Sequence, residues 1–190
     1  MFELKINEDI TLKLVEQHDA ALLIQLIDES RTYLRKWLPW VDSTQQASDY
    51  DDIIPQWYNQ YLDNQGFQAI ILYQNKVAGM VGFHGINWAN QNTSIGYWIG
   101  ERFQNKGIMT KAVIGCLAYA FDTLGLHRVE IRCGMENVKS RAIPERLGFT
   151  YEGTARDGEY LYDHYHDLAV YSLLSHEWDT LQLKNAITSS

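Results

Sequence analysis

A polar loop between two apolar segments carries residue types that bind phosphate. The stretch "GYWIGERFQNKGIMTKAVIG" begins as an apolar run, passes through a loop with one central glycine, Gly107, and continues with helical periodicity. The first turn of a helix presents unpaired amide N–H groups and about half a positive charge, and such an end binds phosphate well. Gly107 leaves room for a ligand beside the backbone, while Lys106 adds a charge. Asn105 and Thr110 add hydrogen-bonding groups, so this loop is a candidate phosphate site.

The loop does not match the common nucleotide-binding signatures. No G-x-x-x-x-G-K-[ST] motif occurs in the chain, which argues against a Walker loop. The glycine-rich stretch "GMVGFHG", residues 79–85, lies between predicted strands and has the wrong spacing for a dinucleotide fingerprint. Nucleotide hydrolysis and hydride transfer are therefore disfavoured. By itself the loop also fits a simpler interpretation, in which Gly107 is a turn residue and Lys106 is a solvated surface charge.

Two later segments supply groups that could transfer protons. Asn137 and Ser140 share one side of the first turn of a predicted helix, although residues of these types also serve simply as N-caps. The segment "ARDGEYLYDHYHD", residues 155–167, concentrates acids and histidines before the last predicted strand. An acid of this segment, such as Glu159, is a candidate for a general base, although it also fits an ordinary exposed loop acid. A histidine of the same segment is a rival base, because an unperturbed imidazole titrates at about 6.5.

The histidines of this segment do not make a convincing metal site. His164 and His166 fall on one face of a strand-like run, with Asp163 and Asp167 as adjacent acids. These four groups do not complete the tetrahedral geometry that zinc prefers. We therefore predict that the protein binds no metal.

The composition predicts one cytoplasmic domain that spans residues 1–190. Of the 190 residues, 46% are apolar and 13% are aromatic, which is ample for a single core. No run of about 18 apolar residues occurs, and the first residues lack the pattern of a signal peptide, so no membrane association is expected. The net charge of −8 argues against DNA or RNA as a partner and fits a cationic or amine substrate better. Cys116 and Cys133 have apolar neighbours and no metal-like spacing, which predicts two reduced, buried thiols.

Hydrophobic periodicity predicts the element order β-α-α-β-β-β-α-β-α-β-β. The predicted elements are a strand or hairpin over 4–14, helices over 18–34 and 48–64, strands over 67–73, 76–84 and 93–100, a helix over 110–124, a strand over 128–134, a helix over 140–147, and strands over 149–154 and 168–174. Pro144 suits its helix only if that helix begins near Ser140 or later. Strands alternate with helices only in the second half, which predicts a mixed sheet with a parallel or splayed pair around the helix that begins near Met109. Residues 186–190 are expected to be frayed.

The candidate motifs occur in the same order in a known family. Residues 104–109 resemble the Q/R-x-x-G-x-G/A segment with which GCN5-related N-acetyltransferases, the GNAT superfamily, bind the pyrophosphate of acetyl-CoA, and Met109 is the one departure. Residues 136–153, "ENVKSRAIPERLGFTYEG", are similar to the element that follows the fifth strand of that family. The segments "LRKWLPW", "IGYWIG", "ARDGEY" and "HDLAVYSLL" are similar to the ribosomal-protein N-acetyltransferase branch.

The resemblance implies a fold, a reaction and partners. The fold would be α+β, a GNAT fold with a mixed, mostly antiparallel sheet of six to seven strands, splayed central strands and helices on both faces. The reaction would be direct transfer of acetyl from acetyl-CoA to a primary amine, with the N-terminal α-amino group of a ribosomal protein as the first candidate acceptor. Two alternatives stay open, namely acetylation of a small amine such as a polyamine or antibiotic, and a non-catalytic module that binds acyl-CoA. The resemblance also implies a homodimer.

The resemblance assigns roles to individual residues. It places the pantetheine arm and an oxyanion donor on the backbone of Trp98, Ile99 and Gly100. It places the pyrophosphate on the loop formed by Gln104, Asn105, Lys106, Gly107, Ile108, Met109 and Thr110. Asn137 would contact the cofactor arm, Ser140 would protonate the departing thiolate, and Glu159 would be the general base. Trp37 and Trp40 would wall the acceptor cleft, or would simply pack the corner between two helices.

Overall fold

The computed structural model describes residues 2–180, in which eight strands form one sheet and five α-helices pack against it. The strands are β1 (Glu3–Lys5), β2 (Ile10–Leu14), β3 (Gln68–Tyr73), β4 (Lys76–Asn87), β5 (Asn92–Ile99), β6 (Arg128–Gly134), β7 (Thr150–Leu161) and β8 (His164–Leu174). The helices are α1 (Ala20–Leu34), α2 (Ile53–Leu62), α3 (Ile108–Ala118), α4 (Val138–Arg146) and α5 (Ser175–Thr180). None of these helices is both long and apolar enough to cross a membrane. Residues 186–190, which were expected to be frayed, lie outside the described part of the chain.

The sheet is mixed and opens at its centre, which confirms the predicted splay. Its order is β1-β2-β3-β4-β5-β6-β8-β7, and every neighbouring pair is antiparallel except β5 with β6. Pairing between β5 and β6 ends at Ile95 and Ile131, although both strands continue. The two strands therefore separate beyond Ile95 and leave a gap. The sheet has eight strands rather than six or seven because the first segment folds as a hairpin of two strands.

The last two strands form a longer hairpin than the sequence predicts. β7 and β8 run through residues 155–167, beyond the predicted strand bounds of 149–154 and 168–174, and only residues 162–163 separate them. Ala155 pairs with Leu168 and Glu159 pairs with His166, so three residues of β7 face a single residue, Asp167, of β8. This bulge contains Asp157-Gly158, whose turn-like composition hid the strand in the sequence.

Helix α4 begins earlier than expected, which changes the meaning of its proline. The helix starts at Val138, two residues before the predicted start at Ser140, so Pro144 is its seventh residue. Proline has no N–H, so it cannot bond to the carbonyl of Ser140 four residues earlier. The hydroxyl of Tyr97 donates to that carbonyl instead, at 2.9 Å.

Helix α1 fixes the point at which the phosphate loop leaves the sheet. Its Leu26 packs on Gly100, where an added Cβ would lie 2.4 Å from Leu26 Cδ1. The backbone N–H of Glu101 donates to the hydroxyl of Ser30, also on α1, at 3.0 Å. Both α1 side chains are buried. Helix α3, which follows the phosphate loop, is apolar on nearly all sides, as expected for a helix enclosed by the core.

The two cysteines are free thiols in the core, as predicted. Cys116 on α3 and Cys133 on β6 are both buried. Burial raises the pKa of both thiols, because a thiolate is poorly solvated there. Both are therefore neutral at pH 7.

Candidate active site

The phosphate loop delivers the backbone amides of α3 to open space. Gly107 is the N-cap of α3 and has a φ of +70°, and Asn105 also has a positive φ of 61°. No atom lies within 4 Å of the position that a Cβ on Gly107 would occupy. The first helical bond joins the N–H of Lys111 to the carbonyl of Gly107. The amides of residues 108–110 precede that bond, so a ligand in the open space is the partner that they lack within the helix.

This loop, the open end of β5 and the start of α4 share one cavity of about 240 Å³. The predicted site residues that line it are Trp37, Trp98, Ile99, Gln104, Asn105, Lys106, Gly107, Ile108, Met109, Thr110, Asn137 and Ser140. Three other predicted residues, Gly100, Trp40 and Glu159, do not line it. Met109, the departure from the family pattern, has its side chain 6% exposed in the core, so the first turn of α3 forms around it without disruption.

Two cations that the sequence analysis missed also line the cavity. Nζ of Lys139 donates to Oε1 of Gln104 at 2.8 Å, and Nη1 of Arg146 donates to the hydroxyl of Thr110 at 2.8 Å. Both residues belong to α4, whereas their partners belong to the phosphate loop or to α3. In the sequence the two residues are simply charged members of the segment "KSRAIPER", and that segment does not reveal where the charges lie. With Lys106 they place three cations around the cavity of a chain whose net charge is −8.

An unsatisfied amide marks where an anion fits. Nε2 of Gln104 is the one buried side-chain N or O atom of the described residues without a hydrogen-bond partner. A buried donor left unpaired costs about 1–3 kcal/mol. A phosphate oxygen would satisfy it and would also meet the amides of α3 and the cations. The residues present therefore suit a ligand that carries phosphate groups.

The gap between β5 and β6 exposes backbone N–H and C=O groups of β5 that could bind a ligand. The N–H of Gly100 donates to the carbonyl of Ala78 at 2.8 Å, so this residue faces β4. Hydrogen bonds alternate along an antiparallel pair, so Trp98 also faces β4, whereas Tyr97 and Ile99 direct their N–H and C=O groups toward the gap. Of the three residues predicted to hold a ligand arm through their backbone, Ile99 is the one whose peptide groups are free of β4.

The hydroxyl of Ser140 belongs to a small buried network. Ser140 donates to the phenol oxygen of Tyr97 at 3.4 Å, and that phenol donates to the carbonyl of Ser140. Sγ of Cys133 lies 3.9 Å from the same phenol. Burial raises the pKa of Tyr97 well above its usual value, so the phenol stays protonated. Asn137 accepts the N–H of Ser140 at 3.3 Å, which makes it the N-cap of α4 in addition to a cavity residue.

Glu159 lies on a strand beside a histidine, outside the cavity. Its Oε2 atom is 2.8 Å from Nε2 of His166, which is directly opposite on β8. The two side chains are 34% and 16% exposed, so the carboxylate is partly buried. The ring of His166 lies over Gly134, where an added Cβ would be 2.9 Å from its Cε1 atom and 3.5 Å from Cε3 of Trp37. His166 and Trp37 therefore lie between Glu159 and the cavity.

The two tryptophans belong to a loop that is tied to the end of the β7–β8 hairpin. The ring of Trp40 lies 5.8 Å from that of Trp98, between centroids. Tyr162, at the hairpin tip, donates its hydroxyl to the carbonyl of Leu38. The guanidinium of Arg35 sits 4.0 Å above the Tyr162 ring. These contacts hold the tryptophan loop over the open side of the sheet.

The histidines of the hairpin bind different carboxylates. His164 contacts Asp163 through Nδ1 at 2.7 Å, whereas His166 contacts Glu159. Within residues 2–180, metal-ligating atoms of three residues converge at Glu16, His18 and Asp19, and there Lys13 already binds both carboxylates.

Comparisons with known proteins agree with this geometry. Residues 9–150 match the family described as "Acetyltransferase (GNAT) domain". The chain is 44% identical over 180 residues to the "Putative ribosomal N-acetyltransferase YdaF" of Bacillus subtilis (strain 168), across 94% of this chain and 98% of that protein. It is 28% identical over 171 residues to the ribosomal-protein-serine acetyltransferase of Escherichia coli (strain K12), across 89% of this chain and 94% of that protein.

The fold of the chain is also similar to that of an acetyltransferase of known structure. The microcin C7 self-immunity acetyltransferase MccE, in complex with acetyl-CoA and AMP, superposes with a TM-score of 0.86 at 33% sequence identity. The match covers 90% of this chain and 95% of that one. The sequence motifs, the splayed sheet and these similarities lead to one conclusion: the chain belongs to the GNAT acetyltransferase family.

Proposed function

We propose that this protein transfers the acetyl group of acetyl-CoA to the N-terminal α-amino group of a ribosomal protein, by direct attack of the amine on the thioester. The observation that carries the proposal is the single cavity in which the phosphate loop, the open end of β5 and Ser140 meet. The names of the Bacillus subtilis and Escherichia coli relatives support the ribosomal acceptor. The proposal includes one domain over residues 1–190, a homodimer and a cytoplasmic location.

The cavity suggests how acetyl-CoA would be held. The pyrophosphate would meet the amides of residues 108–110 and Nε2 of Gln104, with Lys106, Lys139 and Arg146 supplying positive charge. Bound acetyl-CoA supplies an activated acyl group. The N–H of Ile99 would donate to the thioester oxygen as that oxygen gains negative charge, which is the geometry of an oxyanion donor.

Proton transfer is assigned to two side chains, Glu159 and Ser140. Glu159 accepts a proton from the amine as its nitrogen forms a bond to the carbonyl carbon. The carbon–sulfur bond then breaks, and Ser140 donates its hydroxyl proton to the departing thiolate. The proton taken up by Glu159 passes to solvent while Ser140 recovers one from solvent, which restores both residues. Tyr97, hydrogen-bonded to Ser140, holds that hydroxyl in place.

The acid–base properties of amines favour an α-amino acceptor. An α-amino group titrates at about 7.7–8.0 and a lysine at about 10.4. At pH 7 roughly a tenth of the α-amino groups are already neutral, against less than about 0.1% of the lysines. A weak base such as the carboxylate of Glu159 is therefore better matched to an N-terminal amine than to a lysine amine.

The second candidate function is acetylation of a small amine. The observation in its favour is the likeness to MccE, whose name describes a self-immunity acetyltransferase and whose structure contains AMP. A third possibility, binding of acyl-CoA without turnover, predicts no released thiol with any amine.

One assay separates these functions. Release of free coenzyme A would be measured with peptides that begin with Ser or Ala, with spermidine, with an aminoglycoside and with an N-terminally blocked lysine peptide. We expect the unblocked peptides to be the best substrates, and mass spectrometry to locate the acetyl group on the α-amine. Turnover of spermidine without turnover of peptides would overturn the ribosomal acceptor.

Two substitutions test the assigned roles. Glu159→Gln and Ser140→Ala should each lower kcat by about 100-fold or more while calorimetry shows unchanged acetyl-CoA binding. Ser48→Ala, a change at an exposed serine outside the cavity, is the control and should leave turnover unaltered. Unchanged turnover in Glu159→Gln would remove the base assignment.

A further inference from the structure

We propose that His166 is a positioning residue for Glu159, and this inference rests on the proposed role of Glu159 as the general base. An ionised carboxylate only accepts hydrogen bonds, so His166 donates from Nε2 to Oε2 of Glu159 across 2.8 Å. One carboxylate oxygen is thereby held by the ring. The other, Oε1, is left to receive the proton of the acceptor amine.

The backbone brings the two residues together through the bulge in β7. With regular pairing beyond Ala155 and Leu168, residue 157 rather than 159 would stand opposite His166. The side chain of Asp167 holds the bulge by accepting the N–H of Asp157 at 2.8 Å. The carbonyl of Asp167 accepts the N–H of Met135 at 2.9 Å, which ties the bulge to the end of β6. Bulges often redirect a side chain beside an active site, and this one aims Glu159 at His166.

The ring of His166 occupies the space beside Gly134 that a side chain at that position would fill. A Cβ there would lie 2.9 Å from Cε1 and 3.1 Å from Nδ1 of the ring, so only glycine leaves the ring in its observed place. Trp37 borders the same space and also lines the cavity. The histidine therefore packs between the carboxylate and the wall of the cavity, which fixes the position of Glu159 relative to the thioester site.

The neighbouring His164–Asp163 pair is a histidine–carboxylate contact that is exposed to solvent. It has a similar length, 2.7 Å, but its side chains are 61% and 88% exposed, against 16% and 34% for the His166–Glu159 pair. Exposed ion pairs contribute little, because water competes for both partners. The hairpin thus contains a built-in control for the proposal.

Other charged groups near the pair must be considered when pH profiles are read. Partial burial lowers the pKa of His84, on β4, and the carboxylate of Glu159 partly offsets that lowering. Asp157 and Asp167 belong to the adjoining bulge. For this reason the test depends on kcat and on rescue by a matched side chain rather than on a pH optimum.

The test compares variants of His166 in the purified full-length protein, with the best peptide of the thiol-release panel. His166→Ala should lower kcat about 10–100-fold, because a misplaced catalytic group loses that much rate, with unchanged KM for acetyl-CoA. His166→Gln can place an amide N–H near the position of Nε2 and should recover most of kcat, whereas His166→Asn is too short. His164→Gln is the control and should match the parent protein. Thermal unfolding would verify that each variant folds.

Two further variants separate failure of this inference from failure of the proposed function. Gly134→Ala displaces the ring without removing it and should lower kcat as His166→Ala does. In a Glu159→Gln background, His166→Ala should have no further effect on kcat. If Glu159→Gln is inactive but His166→Ala retains full kcat, the positioning role is refuted and the base assignment stands. If Glu159→Gln is fully active, the base assignment fails and the inference fails with it.

Discussion

The hydroxyl of Tyr97 donates to the backbone carbonyl of Ser140 at 2.9 Å, which is the carbonyl that Pro144 leaves without a helical donor. A proline that would ordinarily weaken a helix thus creates a docking point for a tyrosine of the neighbouring strand. The same tyrosine accepts the hydroxyl of Ser140. The irregularity in α4 therefore helps to set the position of a proposed catalytic group.

Tyr97→Phe tests this arrangement. Removing the phenol leaves the Ser140 carbonyl without a donor, which should lower the free energy of unfolding by about 1–3 kcal/mol. Adding Pro144→Ala supplies a backbone N–H that can bond to the same carbonyl, so the double variant should regain much of that loss. Urea unfolding of the four proteins measures the effect. Strictly additive changes would show that the two residues do not share this carbonyl.

Gly107→Ala should weaken acetyl-CoA binding more than its effect on folding explains. An alanine at φ +70° costs about 1–2 kcal/mol, and its Cβ would project into the space beside the phosphate loop. Gly125→Ala is a matched control, because Gly125 has a φ of +65°, has no atom within 4 Å of the position that an added Cβ would occupy, and does not line the cavity. Both variants should lose similar stability, whereas calorimetry should find weaker acetyl-CoA binding in Gly107→Ala alone. Equal affinities in the two variants would argue against phosphate binding at this loop.

Lys139→Ala and Arg146→Ala should each raise the KM for acetyl-CoA by about tenfold. A hydrogen bond to a charged group contributes about 1.5–3 kcal/mol, and each side chain is placed to meet the phosphates. The increase should shrink at high salt, because screening already weakens the interaction in the parent protein. Lys76→Ala, an exposed lysine outside the cavity, serves as the charge-matched control and should leave KM unchanged.

The acid sensitivity of folding should depend on Glu152. Hydrogen bonds from Arg128 and then Ser172 lower the pKa of Glu152 from its usual value of 4.5 to about 2. A lowered pKa in the folded state means that the stabilisation is complete above pH 4.5 and is lost as the pH falls toward 2. In Glu152→Gln, stability should decline less steeply across this range, whereas Glu8→Gln, at an exposed site, should behave like the parent protein. Urea midpoints between about pH 2 and 6 measure the difference, and parallel curves for the three proteins would contradict it.

Local sequence patterns were sufficient to predict most of the helices and strands. The strand over Arg128–Gly134 was predicted with its observed bounds, because apolar and polar residues alternate along it. The strand-to-helix loop around Gly107 was equally clear, since its glycine and its flanking periodicities are adjacent in the chain. The strands on either side of residues 155–167 were predicted too short, because the Asp157-Gly158 bulge has the composition of a turn.

The sequence by itself determined the family, the phosphate loop and the residue types available for proton transfer, because each depends on neighbours within a few positions. Only the tertiary structure decided which groups meet. It placed Lys139 and Arg146 of α4 beside the phosphate loop, gave the carbonyl freed by Pro144 to Tyr97, and set Glu159 against His166. These contacts depend on strand register and on helix placement across the splayed sheet. Such long-range geometry leaves no periodic trace in the residues that make the contacts.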